Sequence, residues 1–151
     1  YDEELGREIS DVGIHTLPAM ESPFASTDDA FAEMRRVAAW LAGAGKFFVA
    51  LGGEHALTAP LVAGVAGVHA GVTVLQIDAH ADLREAYEGF EWSHASIMFN
   101  VMTRLPGVKK LVQVGIRDFC EEELDCATAQ IRPHRKASSL LDFKRFDAVF
   151  I

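Results

Sequence analysis

The sequence predicts an α/β fold in which three layers, α/β/α, enclose a mainly parallel sheet. Four short runs, Phe47–Leu51, Val72–Ile77, Leu111–Ile116 and Ala148–Ile151, are too continuously apolar to be half-exposed strands. Segments of helical period separate them, and strands that alternate with helices pair in parallel. With 151 residues and 50% hydrophobic content, the chain has the size of one packed unit, so residues 1–151 are expected to form a single domain.

The first helix is expected before the first strand. Phe31, Met34, Val37, Ala38 and Leu41 share one face, Ser26 or Thr27 is a suitable N-cap, and Gly43 or Gly45 supplies the stop. Trp40 reads as core. That helix feeds into the run Phe47–Leu51. A second helix starts near Thr58 with Pro60 in its first turn and carries Leu61, Val65 and Val68 inward. A third spans about Ser96 to Leu105 and ends before Pro106-Gly107, and Gln130–Ser139 reads as loop. Ligands of such sheets sit beyond the carboxyl ends of the strands, which directs attention to the residues there.

Composition narrows the function classes. The net charge of −8, with 14 Lys and Arg residues scattered along the chain, argues against a nucleic-acid partner and suits a small cationic one. No apolar run is long enough to span a bilayer, and the acidic opening Tyr1-Asp2-Glu3-Glu4 is unlike a signal peptide, so a cytoplasmic location and no membrane partner are expected. Cys120 and Cys126 lack the spacing of a metal site and read as half-buried, reduced thiols.

Two strand ends carry the chemistry. The run ending at Ile77 continues into Asp78-Ala79-His80-Ala81-Asp82. If the chain stays extended, its three polar side chains share one face. Two carboxylates and an imidazole so placed need a compensating charge, and a divalent cation supplies one; a solvated turn is the alternative on spacing alone. The run before it ends in Leu51-Gly52-Gly53-Glu54-His55, whose glycines let the backbone turn and bring His55 to the same rim. An oxygen-and-nitrogen donor set without thiolate favours manganese, with iron, cobalt or zinc as alternatives.

Gly52-Gly53-Glu54-His55, the aspartate-rich segment 78–82 and Ser93-His94-Ala95-Ser96-Ile97-Met98 together resemble the successive motifs of the ureohydrolase (arginase/agmatinase) family. Softer matches at Tyr1–Leu5, Gly13-Ile14-His15 and Val112–Arg117 are of agmatinase type. The resemblance implies an arginase-like fold and two manganese ions. His55, Asp78 and Asp82 would ligate one ion, and Asp78 with His80 the other. It further implies catalytic roles for Asp82 and for His94, the latter in proton transfer, and Glu54 as support for a ligand. The implied reaction is hydrolysis of a guanidino compound to urea and an amine by metal-activated water, in a trimer or hexamer. After Asp82 the run Leu83–Gly89 lies on the agmatinase side, which points to agmatine; Glu85, Glu88 or Glu91 would face its distal amine, or form a solvated surface.

The chain departs from the family pattern where Ala56 replaces a usual Ser and Phe99-Asn100 a usual Arg. Nothing before Ile151 resembles the later SxDxD motif, and the family's first strand is also missing. The expectation is a partial chain, inactive alone. Action on arginine, guanidinobutyrate or a formimino-amino acid, phosphoester hydrolysis, and a non-catalytic family member are the rival readings.

Overall fold

A side-chain cap opens the first helix. Ser26 lies in extended backbone and its Oγ accepts the Asp29 N–H at 3.1 Å, so helix α1 runs Thr27–Gly43 with Asp28 and Asp29 at its positive end. The computed structural model describes residues 1–20, 24–129 and 148–150, and side chains through residue 127. Residues 1–20 are almost wholly exposed. Helix α2 spans Thr58–Val68 with Pro60 in its first turn, where no intrahelical N–H is required.

The α1–α2 contact selects different residues from those the sequence pattern favours. A Cβ on Gly64 would lie 2.6 Å from both Ala38 Cβ and the Arg35 carbonyl, so glycine allows the two helices to touch. Ala38 and Ala42 are the buried residues of α1, while Phe31, Met34, Val37 and Leu41 are half-buried beside them. On α2 the buried stripe includes Ala59, Val62 and Val65; Leu61 is half-buried and Val68 is exposed. Trp40, expected in the core, is 59% exposed. Small residues win the centre because the close approach leaves no room for large ones.

Strands β1 (Val72–Ile77), β2 (Val108–Val114) and β3 (Ala148–Phe150) are all parallel, in the order β2-β1-β3. Strand β1 is central. Successive side chains on it face opposite ways, yet Val74 and Leu75 are both fully buried, as expected for a strand covered on both faces. Strand β2 begins three residues before the apolar run Leu111–Ile116 and stops at Val114, since Gly115 turns the chain at φ +87°. Helix α3 (Ile97–Arg104) lies between β1 and β2 in sequence, and its Ile97, Met98 and Val101 join Val72, Val74 and Val108 in the core. Helix α4 spans Glu121–Ala129. The α/β fold with a parallel sheet is as the sequence implies; the loop expected at Gln130–Ser139, His134 and Ile151 lie outside the described residues.

The expected strand Phe47–Leu51 does not form. Among the described residues it has no ladder partner, and Phe47, Val49 and Leu51 are 95%, 72% and 95% exposed. A run of apolar side chains becomes a strand only when neighbouring backbone pairs with it, and that pairing is not a local property. The run instead borders a groove of about 890 Å³ whose lining also includes His55 and Asp78.

Candidate metal centre

The chain leaves β1 for β2 on one side and returns to β3 on the other, so the carboxyl end of β1 is a topological switch point. The β1–β2 pairing continues beyond both strands. Asp78 N–H donates to the Val114 carbonyl at 3.0 Å, Arg117 and Asp118 N–H groups to the Ala79 carbonyl at 2.9 and 3.0 Å, and Ala81 N–H to the Asp118 carbonyl at 3.2 Å. This approach needs Gly115, where a Cβ would stand 3.1 Å from the Asp78 carbonyl oxygen.

Three of the residues singled out by sequence converge at this end. His55 Nδ1 lies 3.2 Å from Asp82 Oδ2 and 3.8 Å from Asp78 Oδ2. One donor atom from each of the three falls within 4.8 Å of the others, compact enough for a single divalent cation to meet all three. The donor set, one imidazole and two carboxylates, fits such an ion, and Asp82 is nearly buried while His55 and Asp78 open toward solvent. His80 stands apart from this group. Its side chain is 63% exposed, with Nδ1 3.5 Å from Asp78 Oδ1 and Nε2 3.8 Å from Asp118 Oδ2. His94 is exposed on the loop before α3 and meets the Tyr87 ring edge-on at 5.4 Å between centroids. Glu54 caps the short 3-10 turn His55–Leu57, accepting the Ala56 N–H at 2.6 Å, and so holds the backbone that presents His55.

The charges of the cluster shift one another. The hydrogen bond to Asp82 raises the His55 pKa, burial opposes it, and the negative charges of Asp82, Asp78 and Glu54 add to the rise. Burial alone would push the Asp78 carboxyl up. Hydrogen bonds from the His80 N–H and the Gln76 amide, together with the nearby His55, outweigh burial and hold it below its usual value.

The extended run anticipated for residues 78–82 bends at Ala79, where Asp78 Oδ1 accepts the His80 N–H at 3.0 Å, and turns again at its last member. Asp82 has φ +55°, a left-handed conformation that costs a non-glycine residue about 1–3 kcal/mol unless its surroundings dictate it. They do. The Asp82 carbonyl accepts the N–H groups of Met98 and Phe99 at the start of α3, at 3.1 and 3.2 Å. The N–H of the same peptide unit, that of Leu83, donates to Glu123 Oε1 at 3.0 Å. Glu123, on α4, is 5% exposed, and its other oxygen accepts the Cys120 N–H at 2.9 Å.

Three residues next to the cluster escaped the sequence reading: Gln76, Gln113 and Glu123. Gln76 is fully buried, and its Nε2 lies 2.8 Å from Asp82 Oδ2 and 3.2 Å from Asp78 Oδ2. The signal available was a glutamine inside each of two apolar strands, because a buried amide requires partners. Asn100, where the resemblance expects an arginine nearby, is buried and donates from Nδ2 to the carbonyls of Glu85, Glu91 and Ser96 at 3.1, 2.7 and 3.0 Å. It thereby holds both ends of the loop that follows the aspartate-rich segment. Trp92 packs edge-on against Phe31 at 6.2 Å and under the Arg104 guanidinium at 5.6 Å.

A parallel α/β sheet with an imidazole and two carboxylates gathered beyond its central strand defines an α/β protein with a candidate divalent-metal centre. The chain belongs to the Arginase family, whose model matches residues 1–139. It is 40% identical over 131 residues to an N(1)-aminopropylagmatine ureohydrolase of Synechocystis sp., covering 83% of this chain and 42% of that protein. To an agmatinase of Bacillus anthracis it is 32% identical over 127 residues, covering 84% and 43%. The fold is similar to that of the formimidoylglutamase of Bacillus subtilis, with TM-score 0.77 at 18% identity over 88% of this chain and 43% of that one. The chain thus spans less than half the length of these proteins. Among the described residues no helix is long and apolar enough to cross a membrane.

Proposed function

We propose that the chain is the metal-bearing part of a manganese-dependent amidinohydrolase that releases urea from a small cationic guanidino compound. The observation that carries this reading is the convergence of His55, Asp78 and Asp82 at one strand end in a member of the Arginase family. His55, Asp78 and Asp82 would hold one ion, and His80, with Asp78 between the two, the second. When bound, such ions supply Lewis acidity that makes water a nucleophile near neutral pH.

The other residues act on the substrate. His94, an imidazole on the loop before α3, suits delivery of a proton to the departing amine. Its exposure leaves it free to reach a bound molecule, and the Tyr87 ring limits where it can turn. The loop bearing Glu85 and Glu88 is shaped by mutual N–H to carbonyl bonds between Tyr87 and Phe90 at 2.9 and 2.8 Å and by the Asn100 anchor. Glu91 is engaged by Arg104 at 2.7 Å, so Glu85 and Glu88 are better placed to meet a distal ammonium. Agmatine, yielding putrescine, is the leading substrate. The higher identity to the Synechocystis protein favours N(1)-aminopropylagmatine as the second reading, since it too ends in amines that a carboxylate loop attracts.

The test is product release by the intact protein loaded with manganese: urea from agmatine, N(1)-aminopropylagmatine, arginine and guanidinobutyrate, and formamide from formimidoylglutamate. Urea from agmatine or its aminopropyl derivative, lost in His55→Ala, supports the reading. Bound metal with no turnover of any of the five would instead establish a non-catalytic family member. The 151-residue chain by itself is expected to release none. A cytoplasmic trimer or hexamer completes the proposal, and light scattering on the intact protein checks the assembly.

A further inference from the structure

We propose that Gln76 and Gln113 form an amide relay that positions the carboxylates of Asp78 and Asp82 for the cation; the inference rests on reading the site as a metal centre. The two glutamines are register partners on adjacent strands. Gln113 Nε2 donates to Gln76 Oε1 at 2.6 Å and to the Ala81 carbonyl at 2.7 Å, which uses both of its hydrogens. With its oxygen thus engaged, Gln76 can present only its NH₂ to the other side. There Nε2 meets Asp82 Oδ2 at 2.8 Å, Asp78 Oδ2 at 3.2 Å and the His80 carbonyl at 3.3 Å.

The orientation is enforced from both ends. A reversed Gln76 would aim a carbonyl oxygen at two carboxylates and an NH₂ at the NH₂ of Gln113. Gln76 is fully buried, so solvent cannot relieve that mismatch. The chemistry of the donor also matters. A buried lysine would neutralise the carboxylates and compete with a cation, whereas an amide ties the two oxygens together and leaves their negative charge for the metal. Gln113 reaches no carboxylate itself; it acts through Gln76, and its bond to the Ala81 carbonyl fixes which way its own amide faces.

Manganese affinity of the intact protein, read from the electron paramagnetic resonance signal of the free aquo ion, tests the relay. Gln113→Met keeps side-chain length but cannot donate. Loss of a residue supporting metal ligands typically weakens binding about 10–100-fold, and a loss of that size is expected here. Gln76→Met should lose as much or more, and the double variant no more than Gln76→Met alone, because the two act in series. Should either methionine variant fail to fold, Gln113→Glu, which stays polar but also lacks the donor, is expected to show the same loss. Wild-type affinity in a folded Gln113 variant, or a double-variant loss equal to the product of the singles, overturns the relay. His55→Ala, which removes a ligand outright, separates the two levels of the argument. If it abolishes binding while Gln113→Met keeps wild-type affinity, the relay alone falls; if the folded wild type binds no manganese, the metal reading falls and takes the relay with it.

Discussion

Removal of the Glu123 carboxylate should loosen the one peptide unit that keeps Asp82 in its left-handed conformation. In Glu123→Ala the N–H groups of Leu83 and Cys120 both lose their acceptor. Leu83 is 2% exposed, so its N–H finds no water, and an unsatisfied buried donor costs about 1–3 kcal/mol. The Cys120 residue is half-buried, and its N–H recovers part of its loss by hydration. The Met98 and Phe99 N–H groups still hold the Asp82 carbonyl, but strain of about 1–3 kcal/mol at φ +55° then has one anchor in place of two. Relief from burying a carboxylate offsets some of this, since Arg84 is 3.9 Å away and largely outside. The sum is a destabilisation of about 2–4 kcal/mol, with Glu123→Gln, which retains one acceptor, at about half. Urea denaturation of the metal-free intact protein gives the magnitude, and hydrogen exchange at the Leu83 amide gives the location. A loss under about 0.5 kcal/mol, the size of an ordinary surface substitution, or unchanged protection at Leu83 would refute the clamp.

Two further outcomes follow from the same geometry. Gly64→Ala places a methyl group 2.6 Å from Ala38 Cβ and from the Arg35 carbonyl, and the backbone carbonyl cannot turn aside; α1 and α2 must separate, at about 1–3 kcal/mol, visible as a fall in Tm. A Tm within a degree of wild type would show that the helices are not in the contact described. In the metal-free protein, His55 is held protonated by Asp82, so its folded pKa lies above the ordinary 6.5. A raised pKa stabilises the fold fully below the unfolded value, and that contribution is lost as pH rises through the folded one. Stability of the metal-free protein should therefore decline across this window while manganese affinity rises, because the ion displaces the same proton. An NMR titration placing His55 at or below 6.5 would contradict the arrangement.

Much of the fold was legible because its signals are local. The Ser26 cap, the 3.6-residue period of α1 to α3 and the apolar runs of β1 and β2 are properties of neighbouring residues, and the helix bounds follow within about two positions. The rim residues stood out for the same reason: Asp78 and Asp82 follow β1 within five positions, and His55 follows two glycines and Glu54. What failed was non-local. Phe47–Leu51 is as apolar as β1, yet only a paired neighbour turns such a run into a strand. Large residues of α1 lost the centre to Ala38 and Ala42 because Gly64, on another helix, draws the backbones together.

The sequence by itself determined the fold class and the family and singled out His55, Asp78 and Asp82, which the structure brings together, since residue character and short-range spacing encode these directly. Tertiary structure alone decided how those residues are held. The acceptor for Leu83 lies forty positions away on α4, and the donor that orients Gln76 lies thirty-seven positions away on β2. No periodicity along the chain records such partners; they meet because parallel pairing sets Gln76 opposite Gln113 and because α4 carries Glu123 to the Leu83 N–H.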